Sequence, residues 1–202
     1  MSPLAATTLH LVRHGETALA GSGVIAGRLD APLSARGEAQ ARAAAALLAG
    51  RPLAAVVASP LWRARATALP IAAAHGLAVE LEPDLRELDF GAAEGLTFQE
   101  LERRDPATAA AWVARPHEVV FPGGEGLRDV AARALRAARA VLRRHGGREV
   151  AIVSHAGPIR ALLGLARGLD PVAAIALDCP HGFVASLELA DGWNAPAPRR
   201  SS

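Results

Sequence analysis

The run Leu11-Val12-Arg13-His14-Gly15-Glu16-Thr17 decides the reading of this chain, because an apolar strand stops there abruptly at an arginine, a histidine and a glycine. A histidine at a strand end, beside a fixed cation and a residue with no side chain, is placed to meet a phosphate. The pattern recurs. Glu149 to Ser154 reads as a buried strand, and His155-Ala156-Gly157-Pro158 follows it before a helix. Ala54 to Ala58 runs likewise into Ser59-Pro60-Leu61-Trp62-Arg63 and an alanine-rich helix. Short apolar strands alternating with amphipathic helices form parallel sheets, whose carboxyl ends share one edge. Open α/β sheets bind ligands at that edge. Arg13, His14, Arg63 and His155 are therefore expected to converge from segments far apart in the chain.

Composition narrows the partners. The chain has 202 residues, 51% of them hydrophobic. That suits a single domain over residues 1–202 with a full core and a small inserted cap. Cys179 is the only cysteine, so an intrachain disulfide and a thiolate zinc site both lack partners, which points to the cytoplasm. The net charge is +2. Arginines 133, 136, 139, 143 and 144 resemble a basic patch, but Leu127, Val130, Ala134, Ala138, Val141 and Leu142 form the other face of the same helix. We read these arginines as its wet side. With 3% aromatics and no tyrosine there is no base-stacking platform, so nucleic acid is not an expected partner. Met1 to Thr8 lacks a basic leader, and the longest apolar runs are too short to cross a bilayer, so no membrane partner is expected either.

Along the chain, Ala18 to Pro32 reads as a glycine-rich loop. A helix then follows to about Ala49, with Ser34 as its N-cap. Strand Ala54 to Ala58, a helix from Leu61 to His75 that Pro70 could kink or divide, and a short strand from Leu77 to Leu81 come next. Asp84 to Leu127 is irregular, with helical pieces near Thr97 to Arg103 and Ala107 to Ala114. It reads as a cap over the sheet edge, centred on about residues 90–126. A helix from Leu127 to His145, strand Glu149 to Ser154, helix Pro158 to Arg167 and strand Phe183 to Leu189 complete the pattern, and Ala195 to Ser202 is expected to fray. The fold class is α/β: three layers, α/β/α, around a mostly parallel sheet.

Several chemistries drop out. Gly21-Ser22-Gly23-Val24-Ile25-Ala26 matches the dinucleotide fingerprint but lies in a loop, neither leaving a strand nor opening a helix. No P-loop is present, and Ser154 lacks the glycines of a nucleophile elbow. His14, Glu16 and His155 lack metal-ligand spacing, and arginines in the same site repel a divalent cation, so neither metal nor cofactor is expected. What remains asks for an anion: Arg13 and Arg63 as planar, permanently charged clamps, one neutral histidine as nucleophile and the other as hydrogen-bond donor. A proton donor for a leaving alcohol is still required. Glu82, Asp84, Glu87, Asp89 and Glu94 are all near, and spacing does not choose among them.

In Leu11 to Thr17, Gly27 to Ser34, Ser59 to Ala64, Leu85 to Gly91, Pro122 to Glu125 and Val153 to Gly157, the chain resembles the histidine phosphatase superfamily, which includes cofactor-dependent phosphoglycerate mutases. The resemblance covers nearly the whole length. It implies that His14 becomes phosphohistidine while Glu87 protonates the departing oxygen, and that Arg13, Arg63 and His155 hold the phosphoryl group. It also puts Thr17, Gly27 and Ala156 among residues lining a small phosphomonoester substrate. Glu16 is expected to orient the nucleophile loop and His10 to be interior. His75, His145 and His181 are expected to be structural or on the surface, whereas His117 in the cap is a candidate for touching substrate.

Three positions depart from the family pattern. Ala20 stands where an asparagine phosphate donor is common, Ala93 where phosphatase relatives often carry tryptophan, and Gly126 where serine is common. Ala93 is expected to widen the pocket wall. The stretch from Glu87 to His155 is compact, and the run Leu85 to Gly95 reads like the phosphatase branch. The expected activity is metal-independent phosphomonoester hydrolysis, with alpha-ribazole phosphate phosphatase as one specific subfamily. The alternatives are a phosphoglycerate mutase, with Arg103 and Arg104 as a carboxylate clamp, and a non-catalytic phospho-ligand binder. The assembly is expected to be a monomer or homodimer, and the pH optimum acidic to neutral.

Overall fold

A computed structural model describes residues 6–189 and Trp193. The segment expected to fray, Ala195 to Ser202, lies outside the described residues. Five strands, β1 (Thr7–Arg13), β2 (Leu53–Ala58), β3 (Val79–Leu81), β4 (Glu149–Ser154) and β5 (Val184–Leu189), form one sheet in the order β3-β2-β4-β1-β5. All pairings are parallel except β1 with β5, so the sheet is mostly parallel with one antiparallel edge.

Side-chain alternation explains the layers. Leu9 and Leu11 of β1, Ala55 and Val57 of β2, and Val150 and Ile152 of β4 pack on one face with α5 (Leu127–His145) and α6 (Ala156–Ala166). Their neighbours Val12, Val56, Ala58, Ala151 and Val153 pack on the other face with α1 (Ala35–Leu48) and α2 (Trp62–Ala74). A period of two with both faces apolar is what a sheet covered by helices on both sides demands.

The helix boundaries follow from local chemistry. Ser34 accepts from the Gly37 N–H at 3.1 Å and starts α1. Leu61 offers no capping side chain at α2, and Asp30 accepts from the N–H groups of Trp62 and Arg63 instead. Pro70 lies inside α2 without dividing it. The irregular third contains α3 (Phe98–Arg104), opened by a capping box of Thr97 and Glu100, and α4 (Pro106–Ala114), capped by Asp105. These pack around their own apolar cluster, which includes Leu88, Leu101, Ala109, Phe121 and Val130. A short helix absent from the sequence reading, α7 (Pro171–Ile175), follows α6. No described helix is long and apolar enough to cross a membrane.

Register brings the strand ends together. Arg13 stands opposite Ser154, and Ala58 opposite Val153. The His14 N–H continues the ladder to the Ser154 carbonyl at 2.9 Å, and the Ser59 N–H to the Val153 carbonyl at 2.9 Å. Three chain segments therefore leave the sheet side by side at one edge.

Candidate active site

His14 is buried, and the geometry fixes its tautomer. Nδ1 lies 2.7 Å from the Gly15 carbonyl, which only accepts, so Nδ1 carries the proton. Nε2 therefore keeps its lone pair, toward which Arg63 Nε–H points at 3.3 Å. Burial first, then the charge of Arg63, holds the His14 pKa well below the ordinary imidazole range, so the ring stays neutral at pH 7. The loop is braced from below: the Gly15 N–H donates to Thr67 Oγ1 at 3.0 Å, and that hydroxyl donates to the Arg63 carbonyl at 2.8 Å. Gly15 and Gly37 touch so closely that a Cβ on Gly15 would lie 2.3 Å from the Gly37 carbonyl oxygen.

Arg63 is 3% exposed and is held by the glycine-rich loop. Nη2 donates to the Gly27 carbonyl at 2.6 Å and Nη1 to the Leu29 carbonyl at 2.7 Å, with Asp30 3.5 Å away as counter-charge. Gly27 thus contributes its backbone, at a φ of +49° where a Cβ would strike the Glu94 carboxylate at 2.3 Å. Burial lowers the pKa of both Arg13 and Arg63, and the nearby Glu87 charge works against it at each.

Arg13 donates through Nη1 to the Cys179 carbonyl and through Nη2 to His181 Nε2 at 3.0 Å. The His181 ring centroid lies 5.3 Å from that of His14, and burial together with Arg13 lowers its pKa to about 4. The sequence reading gave His181 a structural or surface role; the structure brings it into the site. The reason is strand direction. β5 runs antiparallel to β1, so its beginning lies where the parallel strands end, and the Arg13 N–H bonds the Phe183 carbonyl at 2.9 Å.

His155 is fully buried, with its ring centroid 5.0 Å from that of His14. Its Nε2 sits 2.8 Å from Ser59 Oγ. That oxygen also accepts from the Leu61 N–H at 3.4 Å. Nδ1 has no partner among the described residues. Burial first, then the neighbouring His14, keeps the His155 pKa far below the ordinary range.

Glu87 is positioned by backbone. Its carboxylate accepts from the Gly157 N–H at 3.1 Å, at the start of α6, and from the Leu88 N–H at 2.9 Å. The segment that carries it is clamped by Arg133, which donates to the carbonyls of Asp84, Arg86 and Glu87. Arg133 also forms a two-pronged pair with Glu125, at 3.0 and 2.7 Å. Glu125 in turn accepts from the Asp89 N–H at 3.0 Å. Arg133 is therefore not on the wet side of α5 as expected; it is 6% exposed. The signal was in the spacing, since Arg133 falls between Val130 and Ala137 on the buried stripe itself.

The remaining candidates are distributed as follows. Thr17 is buried in the loop after His14 and bridges to Leu33, and Ala156 opens α6 beside Glu87. Glu16 accepts from the Ser34 hydroxyl at 2.9 Å and pairs with Arg36. His10 is interior, between Ser186 and Glu149. His75 lies 2.9 Å from the Ile71 carbonyl, and His145 pairs with Glu80. His117 neighbours Glu118 in a separate cavity of about 320 Å³. Arg103 and Arg104 are exposed on α3. Ala93 does not widen a pocket wall: it is 2% exposed within the cap's own core. At Gly126 the Asp129 carboxylate takes the N–H at 2.9 Å. Among the described residues no group of three or more His, Cys, Asp or Glu side chains is arranged to hold a metal.

Residues 9–195 match the histidine phosphatase superfamily (branch 1). The chain is 42% identical over 186 residues to a bifunctional protein of Mycobacterium tuberculosis, covering 92% of this chain and 50% of that protein. It thus spans about half the length of that relative. It is 38% identical over 162 residues to phosphoserine phosphatase 1 of Hydrogenobacter thermophilus, covering 80% and 77% of the two chains. The crystal structure of the alpha-ribazole phosphatase from Shigella flexneri superposes with a TM-score of 0.82 at 27% identity, covering 96% of this chain and all of that one. With its neutral histidine and two arginines at the shared edge of a mostly parallel sheet, the chain belongs to the histidine phosphatase superfamily.

Proposed function

We propose that the chain is a metal-independent phosphomonoester hydrolase working through a phosphohistidine on His14. The observation that carries this reading is the fixed tautomer: Nδ1–H is held by the Gly15 carbonyl while the Nε2 lone pair faces the guanidinium of Arg63. A histidine nucleophile must be uncharged, and the burial of His14 supplies that condition.

In the first step His14 Nε2 attacks phosphorus and the ester P–O bond breaks. The bonding pair stays on the departing oxygen, which takes a proton from the Glu87 carboxyl group. In the second step water attacks the phosphohistidine, Glu87 takes its proton, and the P–N bond pair returns to His14. Arg13, Arg63 and the unpartnered Nδ1 of His155 face the equatorial oxygens, where phosphoryl transfer gains most from fixed charge. His181 holds Arg13 in place, and Thr17 and Ala156 flank the phosphoryl group and the leaving group. Neither Arg103 nor Arg104 lines the cavity at Glu87, so the mutase reading has no support from them as a carboxylate clamp.

The test is phosphate release from a panel of phosphomonoesters in excess EDTA, with His14→Ala alongside. The account expects EDTA-resistant release that disappears in His14→Ala. Release that persists in the variant, or that EDTA abolishes, contradicts it.

A further inference from the structure

A cavity of about 530 Å³ opens against Glu87, Ala156 and Gly157. We propose that it receives the alcohol half of the substrate, and that this alcohol is apolar and at least the size of an aromatic ring. The proposal rests on the phosphatase reading above and names the substrate class it acts on.

Continuity with the site is the first argument. Glu87, the proton donor to the departing oxygen in that reading, lies in the cavity wall, so the group attached to that oxygen extends into this space. Size is the second: the volume falls within the roughly 300–1,000 Å³ of pockets that bury drug-sized ligands. Chemistry is the third. The walls are Trp112 of α4, Leu127, Val130 and Ala131 of α5, Leu165 of α6 and Ile175 of α7, and the charged lining residues are Glu87, Arg128 and Arg160.

Such a wall suits an apolar body and disfavours an amino alcohol. An ammonium group would be desolvated against these side chains, near two cations, with Glu87 already engaged in proton transfer. The wall is also built rather than incidental. α7 packs so tightly on α6 that a Cβ on Gly164 would lie 2.5 Å from the Ala174 Cβ. On the cap side, the rings of Phe90, Trp112 and Phe121 pack at centroid distances of 4.8 to 5.9 Å and hold Trp112 in place.

The experiment compares kcat/KM of the full chain for 2-phenylethyl phosphate, ethyl phosphate and phosphoserine. The first two release primary alcohols of similar basicity, so their ratio reads the contribution of the ring. One methylene in an apolar pocket is worth about 10- to 200-fold, so 2-phenylethyl phosphate is expected to lead by at least about tenfold, with phosphoserine behind it. Ala161→Phe and Ala131→Phe, which fill the cavity from partly exposed positions on α6 and α5, are expected to collapse that ratio toward one. Equal rates for the two alkyl esters, preference for phosphoserine, or an unchanged ratio in both filled variants overturns the proposal. Release from none of the three esters overturns the phosphatase reading itself, and the proposal falls with it.

Discussion

At the scale of single residues, the site depends on atoms held by backbone. Glu87 shows this best. Four other acids lie near it in sequence, and spacing alone could not choose among the five; what sets it apart in space is the Gly157 N–H at the start of α6. A Cβ on Gly157 would stand 2.4 Å from Glu87 Oε1, and that atom is the far end of a flexible side chain. Gly157→Ala is therefore expected to leave the fold intact and push the carboxylate aside. A displacement near 1 Å in a catalytic group costs about a hundredfold, so kcat should fall by about that much with KM little changed. Steady-state kinetics beside a urea melt checks both halves. His14, Arg13, Arg63 and His155 were legible because each closes or follows a strand or opens a helix. The His14 tautomer was not, since it depends on the Gly15 carbonyl.

At the scale of elements, α5 carries two kinds of arginine that look alike in sequence. Arg133 lies on the apolar stripe and holds three carbonyls and Glu125, whereas Arg136 is exposed and pairs with Asp84 at 3.1 Å. Removing one partner of a buried pair costs about 3–5 kcal/mol, so Arg133→Met is expected to destabilise the fold by that order. It should also lower kcat by loosening the Glu87 segment. Arg136→Ala should cost at most about 1 kcal/mol, the range of exposed pairs. Denaturant melts of the two variants give the comparison, and equal losses would contradict the clamp. β5 teaches the complementary lesson. Its apolar pattern was readable, but its antiparallel direction was not, because direction is set by pairing with β1. Without that direction the end of the sheet at which His181 lies is not readable, which is why that residue was missed.

At the scale of the whole molecule, short apolar strands alternating with amphipathic helices made the layered α/β/α fold readable, while the cap's internal packing and α7 lay beyond what periodicity reveals. The site is enclosed deeply enough to couple folding to pH. His14 and His155 are buried neutral, with pKa values well below the ordinary 6.5. Below pH 6.5 the unfolded chain binds protons at these rings that the folded chain does not, so stability falls as the pH drops through that value and is regained as it rises. Each ring contributes at most about 1.4 kcal/mol per pH unit. Urea melts at pH 5 and pH 7 should show the lower midpoint at pH 5, and His155→Asn should shrink the difference. The claim on which the rest depends is covalent. Rapid acid-free quenching of the chain with a turning-over phosphomonoester, followed by peptide mass analysis, should find one added phosphoryl group on His14, stable in alkali and lost in acid. A phosphoryl group on another residue, or hydrolysis at full rate with none on the protein, would contradict the account.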